Sequence, residues 1–344
     1  MKNLKTTLLF FGILVSPLTF SSADYYPYNY GEYVELDYSN LADPPPRPSG
    51  VPFTSAVLKY GKSVITEGDF TAEASYKPWT SWWYPKYDRR IFENTTNADG
   101  KSTLARYDEL AKILNAYTGS SRDFEETSVY DPTASKWAGL CHAWALAAIM
   151  EPEPTQAVNK HGIKFRVQDL KALLIKTYES TNPGEAYGQR NNAEYDSVYE
   201  DIYPEQFHRI LEAELYEKKL PFIMDFDAGF QVWNVPVYST RLRIKRDEQD
   251  QSLVHVTLTI DVVSPFVEDP NYVGTHLMTM MYTYDLYGSW DSSNKFTVDY
   301  GVWTGRSRGD HPDFVTVKPD KVERITGNKF IDIKIVDQIL QGSR

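Results

Sequence analysis

The 344-residue sequence has a single cysteine, Cys141, so it cannot form an intramolecular disulfide. Basic residues are few relative to acidic ones: 36 Lys and Arg stand against 47 Asp and Glu, for a net charge of −11. Because affinity for phosphate backbones comes from clustered Lys and Arg, we expect no nucleic-acid partner. The sequence also lacks an apolar run of the ~20 residues that a transmembrane helix requires, so we expect no membrane span.

Aromatic residues are abundant, at 14% of the sequence, with 25 Tyr and 8 Trp. A disordered chain would be poor in them, so the composition indicates a folded protein. Residues 79–84 contain three Trp and one Tyr. A sugar- or peptide-binding surface is one interpretation of this cluster, but buried aromatic packing is the favoured one.

The N-terminal residues predict export. Residues 1–23 carry two lysines, a short apolar run and a small-residue end, which is the pattern of a secretory signal peptide. Ser16 and Pro17 interrupt the apolar run, which argues against a membrane anchor. Residues 24–53 are rich in Tyr and Pro and are interpreted as an extended arm or linker. Residues 54–344 would then form the folded domain of a secreted or periplasmic protein.

Within that domain, helical patterns come first and strand patterns follow after about residue 220. Apolar spacing predicts helices over 102–114, 141–150, 167–178 and from 204 to about 215, with Gly119 ending the first. Runs rich in β-branched and aromatic residues predict strands over 222–226, 232–239, 253–263, 276–286 and 295–302. The sequence therefore predicts an α+β fold, with N-terminal helices followed by an antiparallel sheet.

Cys141 is predicted to stand at a helix N-terminus. A polar, turn-like stretch over 131–140 precedes it, and Pro152 stops the helix that follows. The unsatisfied N–H groups and the positive end of the helix dipole favour a thiolate there, whereas the alternative is a buried, inert cysteine. This placement is what a nucleophile requires, and the helix-then-sheet order resembles, at the level of the fold alone, the layout of papain-type thiol enzymes.

A thiolate that attacks an amide also needs a base, a group that orients the base, and donors for the developing oxyanion. His142 adjoins the thiol but points about 100° away on a helix, so it is expected to form a wall or contribute to the oxyanion site. The sequence contexts of three further histidines indicate structural or solvated roles: His161, His255 and His311.

Two histidines remain as candidate bases, and spacing alone leaves both open. His276 lies at the start of a predicted strand, and His208 lies on a predicted helix. The candidate orienting groups are Asn294 or Asp299 for His276, and Asp225 or Asn234 for His208.

Several segments, in this order, resemble the transglutaminase elicitor family, which includes oomycete cell-wall transglutaminases and bacterial homologues. The segments are Trp137-Ala138-Gly139-Leu140-Cys141-His142-Ala143-Trp144-Ala145, Pro204-Glu205-Gln206-Phe207-His208, Phe222-Ile223-Met224-Asp225, Val232-Trp233-Asn234-Val235-Pro236-Val237 and residues 301–314.

The resemblance implies a papain-like transglutaminase. Cys141 would form a thioester with a protein glutamine, and a lysine or polyamine amine would convert it to an isopeptide bond. Carried over by position, the base is His208, and Asp225 is preferred over Asn234 as its orienting group. The implied substrate-binding residues are Trp137, His142, Trp144, Trp233 and Asn234.

The resemblance leaves the cofactor and the exact reaction open. Calcium is possible, with the acidic residues of 194–201 as oxygen donors, although no EF-hand spacing occurs in the sequence. The alternatives to acyl transfer are a cysteine peptidase, a glutamine amidase, and a non-catalytic surface-binding protein that retains the fold.

Overall fold

A computed structural model describes residues 55–93, 98–188, 201–227, 229 and 231–344. The predicted signal peptide and the Tyr/Pro-rich arm lie outside these residues. The helices are α1 (Ser55–Tyr60), α2 (Thr103–Ile113), α3 (Ser121–Phe124), α4 (Cys141–Met150), α5 (Val167–Lys176), α6 (Pro204–Ile210) and α7 (Ile333–Leu340). Turns of π-helix continue α3 over Glu125–Val129 and α6 over Leu211–Glu217, and a short 3-10 helix spans Gly305–Arg308.

The strands are β1 (Val64–Ile65), β2 (Gly68–Glu73), β3 (Val158–Lys160), β4 (Ile163–Phe165), β5 (Ala186–Gly188), β6 (Phe222–Asp225), β7 (Asn234–Arg246), β8 (Leu253–Val263), β9 (Leu277–Trp290), β10 (Phe296–Trp303) and β11 (Phe314–Thr316). In the described part of the chain, nine of them form one sheet in the order β1-β10-β9-β8-β7-β6-β11-β5, with β2 also pairing β7. The pairings in this sheet are antiparallel. The prediction of an α+β fold with an antiparallel sheet is confirmed.

Helix α2 begins and ends through local side-chain and backbone effects. The Ser102 hydroxyl accepts a hydrogen bond from the Ala105 N–H at 3.3 Å, which satisfies one free donor of the first turn. At the other end, Asn115 takes a left-handed conformation with φ of 54°. The helix therefore ends before Asn115, and the prediction that Gly119 ends it is wrong, because asparagine also tolerates this conformation.

One face of the sheet packs against α6. The β8–β9 ladder pairs Val256 with Tyr284 and Leu258 with Tyr282, so these side chains share a face. His208 of α6 contacts Tyr284 on that side. We call this side the α6 face.

The opposite side of the sheet packs against α4. A bulge at Tyr238 interrupts the β7–β8 ladder. Before the bulge, Val237 pairs with Val262, whose side chain alternates onto the same face as Val256, so Val237 lies on the α6 face. Because side chains alternate along a strand, Asn234 points to the other face, where it lies directly opposite Asp225. Cys141 at the start of α4 contacts Asn234, and we call this side the α4 face.

Candidate thiol site

The turn before Cys141 is built against Trp83. The Leu140 N–H donates to the Trp83 carbonyl at 2.6 Å. A Cβ on Gly139 would lie 2.8 Å from the Trp83 ring and 2.9 Å from the Pro85 backbone, so only glycine fits there without movement. These contacts fix the chain at the residue where α4 begins and therefore fix the position of the thiol.

The Cys141 thiol faces the first residues of the β7 hairpin. Its Sγ lies 3.4 Å from the Val232 carbonyl oxygen and 4.0 Å from Asn234 Nδ2. The side chain is only 4% exposed, and burial raises the pKa of the thiol to about 11, although the N–H groups of Asn234 and His142 act in the opposite direction. The thiol in this structure is therefore neutral and donates to Val232.

Asp225 supplies a buried carboxyl group beside the thiol. The residue ends β6, is 0% exposed, and accepts a hydrogen bond from the Trp233 N–H at 2.8 Å through Oδ1. Among the described residues, none makes a hydrogen bond to its buried Oδ2, and the Asp227 N–H acts on the carboxyl group as a second backbone donor. Burial raises the pKa of Asp225 well above its ordinary value, and the carboxylates of Asp313 and Asp227 add to the effect.

Aromatic rings surround the hairpin that carries these groups. Trp233 stacks on Phe226 with ring centroids 6.3 Å apart and contacts Phe266 and Trp83 edge-on at 5.2 and 5.5 Å. Sequence reasoning predicted Trp233 but missed Trp83 and Phe266 as neighbours of the site. The Trp-rich stretch of 79–84 was the available signal, and its interpretation as packing did not reveal that it packs against the thiol turn.

The other predicted substrate-binding residues occupy different positions. Trp144 is 0% exposed, and its indole N–H donates to the Trp79 carbonyl at 3.1 Å, so it belongs to the core beneath α4 rather than to a substrate surface. Trp137 is half-buried in the turn before Cys141. The exposed His142 ring contacts the Glu179 carbonyl at 2.9 Å, and only its backbone N–H reaches the thiol.

His208 is not brought to Cys141. Its Nδ1 lies 2.8 Å from the Tyr284 hydroxyl on the α6 face, whereas Cys141, Asn234 and Asp225 lie on the α4 face. The ring is 1% exposed, and burial lowers its pKa. The expected role of His208 as the base, with Asp225 orienting it, therefore finds no geometric support, because the sheet stands between them.

His276 lies beside Phe266, one of the aromatic residues around the thiol hairpin, and it is not among the described hydrogen-bond contacts of Cys141. Its Nδ1 is 3.3 Å from the carbonyl oxygen of Phe266. The two groups predicted to orient it lie toward the far end of β9: Asn294 is in the β9–β10 turn, and Asp299 is in β10 alongside Tyr287 and Gly288. A 14-residue strand spans about 45 Å, so neither group reaches His276.

A metal site is not apparent in the described residues. They contain no cluster of three or more His, Cys, Asp or Glu side chains placed to hold an ion. Of the acidic stretch over 194–201, only Asp201 is described, and it pairs with His311 at 3.0 Å. Calcium therefore stays a prediction. In the same residues, no helix is long and apolar enough to cross a membrane.

The fold and this site define an α+β protein with a lone thiol at a helix N-terminus, facing the end of a β-hairpin. Residues 118–341 match the family model described as transglutaminase elicitor, so the chain belongs to the transglutaminase elicitor family, as its motifs predicted. A structural comparison finds the crystal structure of the GP42 transglutaminase from Phytophthora sojae, with a TM-score of 0.62 and 19% identity over 83% of this chain and 96% of that one. No curated protein sequence matches the chain.

Proposed function

We propose that this protein is a secreted protein-glutamine γ-glutamyltransferase, a papain-like enzyme in which Cys141 is the nucleophile. The observation that carries the proposal is the position of the thiol, at the first residue of α4 and against Val232 and Asn234, in a chain of the transglutaminase elicitor family. A nucleophile on the end of a rigid helix is held in one position, which is what a covalent mechanism needs.

The reaction has two halves. Sγ attacks the γ-carboxamide carbon of a glutamine, the C–N bond breaks, and ammonia leaves with the proton that the thiol has lost. A lysine or polyamine amine then attacks the thioester, the C–S bond breaks, and the isopeptide product departs as the thiol regains a proton. The Asn234 amide and the first N–H groups of α4 are available to stabilise the oxyanion in each half.

The aromatic surroundings favour an amine over water in the second half. Trp83, Trp233 and Phe266 pack against one another beside the thiol turn and reduce the access of water. A thioester in a dry site persists long enough to meet an amine. Transglutaminase activity is thus favoured over peptidase or amidase activity at the same thiol.

The decisive test is the incorporation of a fluorescent primary amine into casein, with and without calcium. We expect the wild type to label casein and Cys141→Ala to lose labelling by at least about 10³-fold, because the covalent step is removed. His255→Ala is a matched control, since that ring is exposed between Asp247 and Asp285 and should leave labelling unchanged.

The other outcomes identify the alternatives. Cleavage of casein without labelling would indicate a cysteine peptidase, and release of ammonia without labelling would indicate a glutamine amidase. If neither labelling, cleavage nor ammonia release occurred with or without calcium, the result would indicate a non-catalytic binding protein.

A further inference from the structure

The site as described lacks a histidine that could take the thiol proton. Among the described residues, no hydrogen bond joins a histidine ring to Cys141. The His142 ring contacts Glu179, the His208 ring contacts Tyr284 on the α6 face, and the His276 ring contacts Phe266. Each of these rings makes its contact away from Cys141, so we consider the other groups beside the thiol as proton acceptors.

Asp225 has the required position. It lies directly opposite Asn234 in the β6–β7 ladder, and directly opposed side chains have Cβ atoms about 5 Å apart. Asn234 in turn places its amide 4.0 Å from Sγ. The charge of Asp225 also acts on the thiol directly. The described contacts of Sγ include no direct hydrogen bond to Asp225, so a proton would pass from the thiol to the carboxyl group through a bridging water.

Asp225 also has a free acceptor atom. Oδ1 accepts a hydrogen bond from the Trp233 N–H, whereas no described residue makes a hydrogen bond to the buried Oδ2. Buried polar atoms are nearly always paired, so an unpaired carboxyl oxygen beside a nucleophile requires an explanation. A transient proton on Oδ2 would provide one.

We propose that Asp225 is the proton acceptor of Cys141, so that a thiol and a carboxyl group share one proton in place of a Cys–His pair. The inference rests on the proposed acyl transfer. As the S–C bond forms, the S–H bond breaks and the proton passes to Asp225 Oδ2, which then delivers it to the departing ammonia. In the second half, Oδ2 takes a proton from the attacking amine and returns it to sulfur.

The charges around the pair set its pH dependence. Asp227 and Asp313 face Asp225, and their negative charges favour its protonated form. An ionised Asp225 in turn disfavours the thiolate of Cys141. Two such coupled groups lose their protons in two separate steps, and the active form carries one proton between them. Activity therefore appears as the pH rises through the first step.

The test is the rate of alkylation of Cys141 by iodoacetamide from about pH 5 to pH 12, a range that includes the raised thiol pKa of about 11. We expect the wild-type rate to rise in two steps separated by a plateau, because each macroscopic proton loss creates a new thiolate population. Asp225→Asn should show a single rise, and its amine incorporation should fall by about 10²-fold or more. A single rise in the wild type, or two rises in Asp225→Asn, would overturn the proposal.

Matched variants separate the remaining possibilities. Asp313→Asn removes a negative charge that faces Asp225, so the first rise in the alkylation rate should move to lower pH. If Asp225→Asn fails to fold, the presence or absence of this shift tests the shared proton instead. His208→Gln and His276→Ala should keep both rises, and loss of the first rise in His276→Ala would assign the role to that histidine. Alkylation uses no acyl substrate, so two rises without amine incorporation would refute the transferase and leave the shared proton standing.

Discussion

The Cys141 side chain experiences two opposed influences. The first turn of α4 offers N–H donors and a positive dipole end, which favour the thiolate. Burial to 4% exposure favours the neutral thiol and outweighs them, so that the pKa rises to about 11. The sequence predicted the first influence correctly, but the second depends on contacts with Val232 and Asn234, which are about 90 residues away in the chain.

Gly139 offers a direct test of how the thiol is positioned. Gly139→Ala forces a methyl group against the Trp83 ring and the Pro85 backbone and should displace the turn. A displacement of about 1 Å at a nucleophile costs about 10²-fold in rate, so we expect amine incorporation to fall by that order. Ser135→Ala is the control, because Ser135 is exposed in the same turn. Full activity in Gly139→Ala would contradict this account of the turn.

His208 should control stability rather than catalysis. Burial lowers its pKa, so the unfolded chain binds the proton at higher pH than the folded one, and acid favours unfolding. The wild type should lose up to about 1.4 kcal/mol more than His208→Gln between pH 7.5 and 5.5. Urea unfolding of both proteins at the two pH values measures the difference. If both proteins lost the same unfolding free energy between the two pH values, the pKa of His208 would be the same in the folded and unfolded states, contrary to this prediction.

At the level of the elements, α4 owes its position to small residues. Ala143, Ala145 and Ala147 are 0% exposed, and Ala148 is 2% exposed. Such residues let a helix lie close to the elements around it, and α4 packs chiefly against β7. The close approach is what brings Cys141 to the start of that strand.

Enlarging one of these alanines should therefore push α4 away from its neighbours. Ala147→Leu adds side-chain volume where none is available and should destabilise the protein by about 1–3 kcal/mol. Ala105→Leu on α2 is the matched control, since Ala105 is only half-buried and should change stability by less than about 0.5 kcal/mol. Thermal unfolding of both variants checks the prediction, and equal effects would refute it.

The sequence predicted the bounds of individual helices and strands better than it predicted how they pack against one another. Helix α4 and strand β8 have the predicted bounds, because Pro152 stops the helix and alternation marks the strand. The side of the sheet on which α6 lies has no local signal, since it depends on strand pairing and on the bulge at Tyr238. For that reason the sequence could not reveal that Asp225 lies on the α4 face with Cys141, whereas His208 lies on the α6 face.

Across the whole molecule, a buried lysine joins separate parts of the chain. Lys171 of α5 is 0% exposed and donates to the Thr80 carbonyl, the Tyr272 carbonyl and Glu153 at 2.6, 2.7 and 2.6 Å. Glu153 accepts in addition from the Gly274 N–H at 2.8 Å. One ammonium group thus holds the segment that precedes Trp83 and the loop that follows Phe266.

Removing this charge should loosen both segments together. Lys171→Met leaves Glu153 without its cation and should cost about 3–5 kcal/mol of folding free energy. Lys334→Met, at an exposed position on α7, should cost less than about 0.5 kcal/mol. Urea unfolding measures both. A Lys171→Met protein as stable as the wild type would mean that the ion pair is replaceable by apolar packing.

The thiol of Cys141 is the sole sulfhydryl in the sequence. A maleimide dye can therefore take up at most one equivalent per molecule. Comparing the labelling rate of the folded protein with the rate in denaturant would measure how far the fold protects the buried thiol. The dye would also place a reporter at the entrance of α4 without any engineered mutation.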